Sequence, residues 1–146
     1  MATAKTFRDL EVWKIAFKAA QEIFRLSKDF PKEERYSLTD QVRRSSRAVT
    51  AMIAEAWGRR RYRAVFVNKL DEAIGEANET QSWLAHSLRC EYIAAADFRS
   101  LDEEYQKIGG KLSRMIDRAE DFCKFAPATD YRTIPTKPAT NDKRPN

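Results

Sequence analysis

One histidine, His86, is all the imidazole chemistry that this 146-residue chain offers. Trp83 stands three places before it. The Glu-x-x-His pairing of a di-iron helical bundle, needed twice, is therefore missing even once. Cysteine is nearly as sparse: Cys90 and Cys123 fall on different expected helices, with no Cys-x-x-Cys spacing and no second histidine beside them. That argues against zinc and predicts reduced thiols behaving as small hydrophobes. The four glycines form neither a P-loop nor a dinucleotide-binding pattern. No apolar run approaches the ~20 residues that span a bilayer, and the opening "MATAKTFRDLEVW" lacks the apolar block of a secretory signal. Ser45 and Ser46 lie among arginines, with no base assignable to activate them. The chain is expected to be cytoplasmic, with no cofactor, no metal, no membrane contact, no catalytic residue and no enzymatic activity.

Helical periodicity is abundant. Leu10, Trp13, Phe17, Ala20 and Phe24 recur at intervals of three and four, the apolar seam of a first helix. Thr6 and Asp9 mark its start, and Phe30–Pro31 stops it, because the residue before proline avoids helical geometry. "SLTD" at Ser37–Asp40 starts a second helix whose seam is Leu38, Val42, Ser46, Val49, Ile53 and Ala56, with Gly58 as its break. A third seam runs through Phe66, Leu70, Ala73, Ala77, Thr80, Leu84 and Ser87. "SLDE" at Ser100–Glu103 reads as the start of a fourth, continuing through Leu101, Tyr105, Ile108, Leu112, Met115, Ala119 and Phe122. Short connections make antiparallel neighbours, so the expected fold is all-α, an antiparallel up-down four-helix bundle over residues 1–125. Residues 126–146 hold four of the five prolines and four threonines, the composition of a disordered tail.

Charge is unevenly distributed. Residues 43–63 carry seven arginines against one glutamate, whereas residues 64–125 carry eight basic and twelve acidic side chains. Helical geometry turns Arg43, Arg44 and Arg47 away from the second seam. Ala51 and Ala54 share that outer face, through helix propensity alone or because another subunit approaches there. Arg59, Arg60, Arg61 and Arg63 follow Gly58 at the corner before the third helix. A helix dipole favours one or two cations at such an end. Four in five positions, interleaved with Tyr62, also suit a nucleic-acid backbone, with Trp57 or Tyr62 stacking on a base. A salt-bridged corner and a dock for an acidic protein remain open readings. Glu55 is expected to pair with Arg59 one turn on. Glu72, Glu76 and Glu79 form an acidic stripe, either solvated or facing arginines of another helix or subunit.

"FRDLEVWKIA" (Phe7–Ala16), "FPKEERYSLTDQVRRSS" (Phe30–Ser46), "MIAEAWGR" (Met52–Arg59) and "LDEAIGEANE" (Leu70–Glu79) together resemble a family of four-helix bundle proteins encoded in intervening sequences of bacterial large-subunit (23S) ribosomal RNA genes. The resemblance implies a homopentameric ring without established enzyme activity. It also implies nucleic-acid binding, RNA or DNA, through a basic surface. Related bundles are accessory proteins of diversity-generating retroelements, associated with a reverse transcriptase and RNA, so the alternative is a protein-binding scaffold or accessory subunit. Where the family pattern reads "SIPANIAEG", this chain has "AVTAMIAEA" (Ala48–Ala56), with Thr50 in place of proline. Glu76 in "AIGE" stands where the pattern has serine.

Overall fold

A computed structural model describes residues 3–123. A 3-10 turn, Phe7–Asp9, leads into α1 (Glu11–Ser27). A second turn, Lys32–Glu34, precedes α2 (Leu38–Gly58), followed by α3 (Arg63–Arg89), α4 (Ala95–Asp117) and a short α5 (Ala119–Cys123). The four long helices pack together, with no strand among the described residues. The expected tail, 126–146, lies outside them.

Three seams form as the spacing predicts. All seven predicted positions of α3 are buried, as are all six of α2. On α4, Leu101, Tyr105, Ile108 and Leu112 are buried. Beyond the end of α4, Ala119 is buried too, whereas Met115 and Phe122 only flank the core.

Of the expected α1 seam, Leu10 and Ala20 are buried, but the inner face as a whole is rotated from the expected one. Its buried residues are Val12, Ala16, Ala19, Ala20, Ile23 and Ser27, while Phe17 is 45% exposed and Trp13 and Phe24 are half-buried. Small side chains at Ala16 and Ala19 let α1 approach its neighbours closely, leaving the aromatics to line its flank. There Trp13 stacks on Phe17 with centroids 4.9 Å apart, and Phe7 meets Trp13 edge-on at 5.5 Å.

The helix ends carry two further corrections. Thr6 and Asp9 cap the 3-10 turn rather than α1 itself: the Thr6 N–H donates to the Asp9 carboxylate at 3.0 Å. Those backbone hydrogen bonds, first from Lys5 and then from Thr6, hold the Asp9 carboxyl below its ordinary range. The fourth helix starts at Ala95, five residues before "SLDE". Phe98, packed against the core, extends the α4 seam upstream of Leu101 and keeps Ser100 inside the helix.

α3 ends in a Schellman turn without glycine. The Tyr92 N–H reaches the Ser87 carbonyl and the Glu91 N–H the Leu88 carbonyl, both at 2.9 Å. Glu91 consequently sits at φ 62°, the left-handed region. A side chain costs roughly 1–2 kcal/mol there. Glu91→Gly is expected to raise stability by about 1 kcal/mol in urea unfolding. In the same assay Ala16→Leu should destabilise by about 1–3 kcal/mol through overpacking. Phe17→Ser should cost under about 1 kcal/mol, and a larger loss at Phe17 would contradict the rotated seam.

Candidate nucleic-acid interface

The α2–α3 pair shares the most extensive contact of the bundle. Inside it, the Ser45 and Thr80 hydroxyls lie 2.8 Å apart in full burial, and Thr80 Oγ1 also reaches the Glu76 carbonyl at 2.9 Å. Outside it, Arg44 pairs with Glu76 at 3.4 Å and with Glu79. Lys69 of α3 bridges Glu55 and Glu72, both at 3.1 Å, and the hydrogen bonds its ammonium donates to Glu72 first and Glu55 second raise the lysine pKa. Glu55 therefore pairs across the helices with Lys69 and not with Arg59. The acidic stripe is a partner surface within the chain, for Arg44 and Lys69.

The seven arginines do not form one patch. Arg43 is half-buried instead of facing outward. Its Nε–H donates to Ser27 Oγ at 2.7 Å, and its guanidinium lies 4.8 Å from the Phe24 ring centroid. Arg47 covers the same ring at 5.3 Å. Sequence reading missed this role of Phe24, whose place in the helical period made it look like core. Twelve residues of helix, about 18 Å, separate Arg47 from the corner.

At the corner, α2 ends as the Arg59 N–H donates to the Glu55 and Ala56 carbonyls at 3.0 and 3.1 Å. Arg60 folds back: its Nε–H donates to the Trp57 carbonyl at 2.8 Å, and its guanidinium lies 3.5 Å from the Trp57 ring centroid. Burial pushes the Arg60 pKa down, from a value so high that the side chain stays charged. Arg59 and Arg61 are exposed, and among the described residues neither forms an ion pair. Trp57, Gly58, Arg59, Arg60, Arg61 and Tyr62 line an open concavity of about 470 Å³.

Arg63 belongs to a different arrangement. It opens α3, where the helix dipole disfavours a cation, and Glu120 of α5 meets it with Oε1 2.6 Å from Nε. The N–H is not aligned for a hydrogen bond, so this is an ion contact. Phe122 stacks on Phe66 at 5.6 Å, fixing α5 over the first turns of α3. Burial raises the Cys123 thiol pKa, with Glu120 adding to the shift and Arg63 and Arg60 opposing it.

The remaining chemistry lies elsewhere. Ser45 and Ser46 are buried, Ser45 against Thr80, whereas His86 is exposed near the end of α3. His86 and Cys90 line a cleft of about 270 Å³ with Trp83 and Glu34. Among the described residues no group of three His, Cys, Asp or Glu is placed to hold a metal ion. No helix there is long and apolar enough to cross a membrane.

The Arg44 and Glu79 side chains are 46% and 39% exposed. A double-mutant cycle with Arg44→Gln and Glu79→Gln is expected to give a coupling below about 1 kcal/mol that shrinks with added salt. Arg60→Gln should cost about 0.5–1 kcal/mol through loss of the Trp57 contact, against under about 0.5 kcal/mol for Arg59→Gln or Arg61→Gln. Equal costs at all three positions would contradict the stacked geometry.

The geometry stands beside three comparisons. No curated protein matches the chain. A crystal structure of a protein of unknown function from the S23 ribosomal protein family of Bacteroides thetaiotaomicron is similar, at 33% identity and a TM-score of 0.66, over 73% of this chain and 95% of that one. The family model of the 23S rRNA-intervening sequence protein matches residues 8–114, which spans α1 to α3 and nearly all of α4. By that match the chain belongs to the 23S rRNA-intervening sequence protein family.

Proposed function

We propose that this protein is a non-enzymatic, homo-oligomeric RNA-backbone-binding bundle acting in the cytoplasm. The observation that carries the reading is the corner at residues 57–62. Two exposed arginines flank a third that is held against Trp57, all around one concavity. Guanidinium forks match phosphate geometry, and a site of this kind fixes the backbone without reading sequence. The Trp57 face that Arg60 covers is closed to a base, so contacts to phosphate outweigh stacking. Arg43, Arg44 and Arg47, engaged with Ser27, Phe24, Glu76 and Glu79, contribute less than the corner. Arg63, matched by Glu120, likewise contributes little. The link to ribosomal RNA in the family's description favours RNA over DNA.

Assembly is part of the proposal. The Trp13–Phe17 stack on α1, with Phe17 exposed and Trp13 half-buried, and separately the small Ala51 and Ala54 on α2 offer apolar, closely approachable surfaces on the flank of the bundle. The resemblance to the family implies five copies. A ring would repeat the corner around its axis and multiply a weak contact. The same flank supports the second reading, a scaffold for a protein partner such as a nucleic-acid enzyme.

Mass measurement in solution is expected to give about five times the 16.9 kDa chain mass, and a monomer would remove the ring. Binding to polyuridylate should weaken steeply with salt. Replacing Arg59, Arg60 and Arg61 together by Gln should lower the log–log salt slope by about 2 per chain engaged. The reading fails if the wild-type protein leaves polyuridylate unbound at low salt.

A further inference from the structure

The antiparallel order of the helices gathers the start of α1, the corner between α2 and α3, the last turns of α4, and α5 at one end of the bundle. Between the start of α1 and the end of α4 lies a second open cleft, of about 300 Å³. Leu10, Val12, Met115 and Phe122 give it an apolar wall, and Lys111, Arg114 and Arg118 stand around it. Met115 and Phe122 are only half-buried, so part of their apolar surface faces the cleft. α5 joins this cleft to the arginine corner. Its Phe122 lines the cleft and stacks on Phe66 of α3, its Glu120 meets Arg63, and its Cys123 is close enough to Arg63 and Arg60 for both to act on the thiol. The three cations of the cleft are not equivalent. Arg118 is met by Asp121 at 3.6 Å, whereas Lys111 and Arg114 form no ion pair among the described residues. The Arg114 side chain lies back along α4, with Nη1 3.4 Å from where a Cβ on Gly110 would stand. That brings its guanidinium level with Lys111, the next residue. The dipole of α4 favours cations in these turns, yet it leaves both side chains with donors to spare.

We infer that this cleft seats one nucleotide of the RNA strand bound at the corner, with its base against Met115 and Phe122 and its phosphate on Lys111 and Arg114. This rests on the RNA-binding reading above and adds to it a seat for a base, which the corner lacks because Arg60 covers Trp57. A concave apolar wall with a few polar groups placed at its rim is the usual form of a small-ligand site, and the two unmatched cations supply the donors that a phosphate needs. Glu11, the remaining acid of the rim, is an acceptor, suited to a hydroxyl or amino group of the nucleotide and not to its phosphate. A helix with its side chains is about 10–12 Å across, so a strand passing over α5 from the corner reaches the cleft within a few nucleotides. Once one of the two subsites holds the strand, the other meets it at a high effective concentration. Glu120 also gains a function beyond stability: by holding α5 on Arg63 it keeps the Phe122 wall of the cleft in place.

The chain's three methionines, Met1, Met52 and Met115, provide the test, since Met115 lines the cleft and Met52 does not. Full-length protein with isotope-labelled methionine methyl groups is titrated with a short oligouridylate at low salt and followed by NMR, the Met115 signal being identified by its loss in Met115→Leu. The Met115 signal is expected to move while that of Met52 stays, and an abasic oligomer of the same length should leave Met115 in place. A variant with Lys111→Gln and Arg114→Gln, its fold checked by helical circular dichroism, should lose the Met115 shift and about 1.4 from the log–log salt slope on polyuridylate per chain engaged. Binding by the wild type with Met115 unmoved, or an unchanged slope in the variant, overturns the inference while leaving the RNA reading standing. An equal Met115 shift with the abasic oligomer also overturns it, because no base would then occupy the cleft. No binding by the wild type removes the RNA reading and this inference together.

Discussion

The register between α2 and α3 is the constraint on which the remaining architecture depends. It is fixed twice on the same turns, by the buried Ser45–Thr80 hydroxyl pair and by the exposed Arg44 contacts to Glu76 and Glu79. Each hydroxyl also reaches a carbonyl of its own helix, Val42 for Ser45 and Glu76 for Thr80, so the pair joins the two helices with no buried hydroxyl left unsatisfied. The outer ion pairs add little energy but act on the same alignment. With that register set, Gly58 and Arg63 come close enough for the turn to close in four residues, Arg59–Tyr62, which face solvent or Trp57. The display of arginines at the corner thus follows from packing along the helices that lead into it.

The arginine-rich segment divides its labour by position. Arginines along α2 meet surfaces that the bundle itself supplies, the Phe24 ring and the α3 carboxylates. Arginines past Gly58 lie beyond the reach of those partners. Only Arg60 finds one in its own turn, in Trp57. Arg63, back inside a helix and at its unfavourable end, is matched by α5. A count of seven arginines against one glutamate is therefore a poor measure of the charge available to a ligand.

Most of the fold was legible in the residues. The seams of α2 and α3 emerge from burial as the three-and-four spacing requires, and Leu101, Tyr105, Ile108 and Leu112 do the same on α4. The first helix was legible as a helix, but its inner face only at Leu10 and Ala20, because it carries two apolar stripes side by side and periodicity cannot rank them. The larger side chains suggested the core, yet close helix packing selected alanines and moved Trp13 and Phe17 to the flank. The start of α4 was missed because Ser100 has good capping chemistry, which local pattern weighs without knowing that Phe98 has a place in the core. The end of α3 was invisible as a Schellman turn because Glu91 stands where glycine is usual. Of the candidate site, the corner's place between two helices was legible, but the division of its arginines into engaged and displayed was not.

By itself the sequence determined the helical class, the number of long helices, three of their inner faces and the uneven charge, since each depends on residues within a few turns of one another. Tertiary structure alone decided which stripe of α1 turns inward, that Glu55 answers Lys69, that Arg60 lies on Trp57, and that Glu120 of α5 meets Arg63. Most of those outcomes join residues far apart in the chain, and the Arg60–Trp57 contact depends on how the turn between α2 and α3 closes. Local periodicity carries no information about such pairings, which are set by how closely the helices approach and by which polar groups must find a partner once buried.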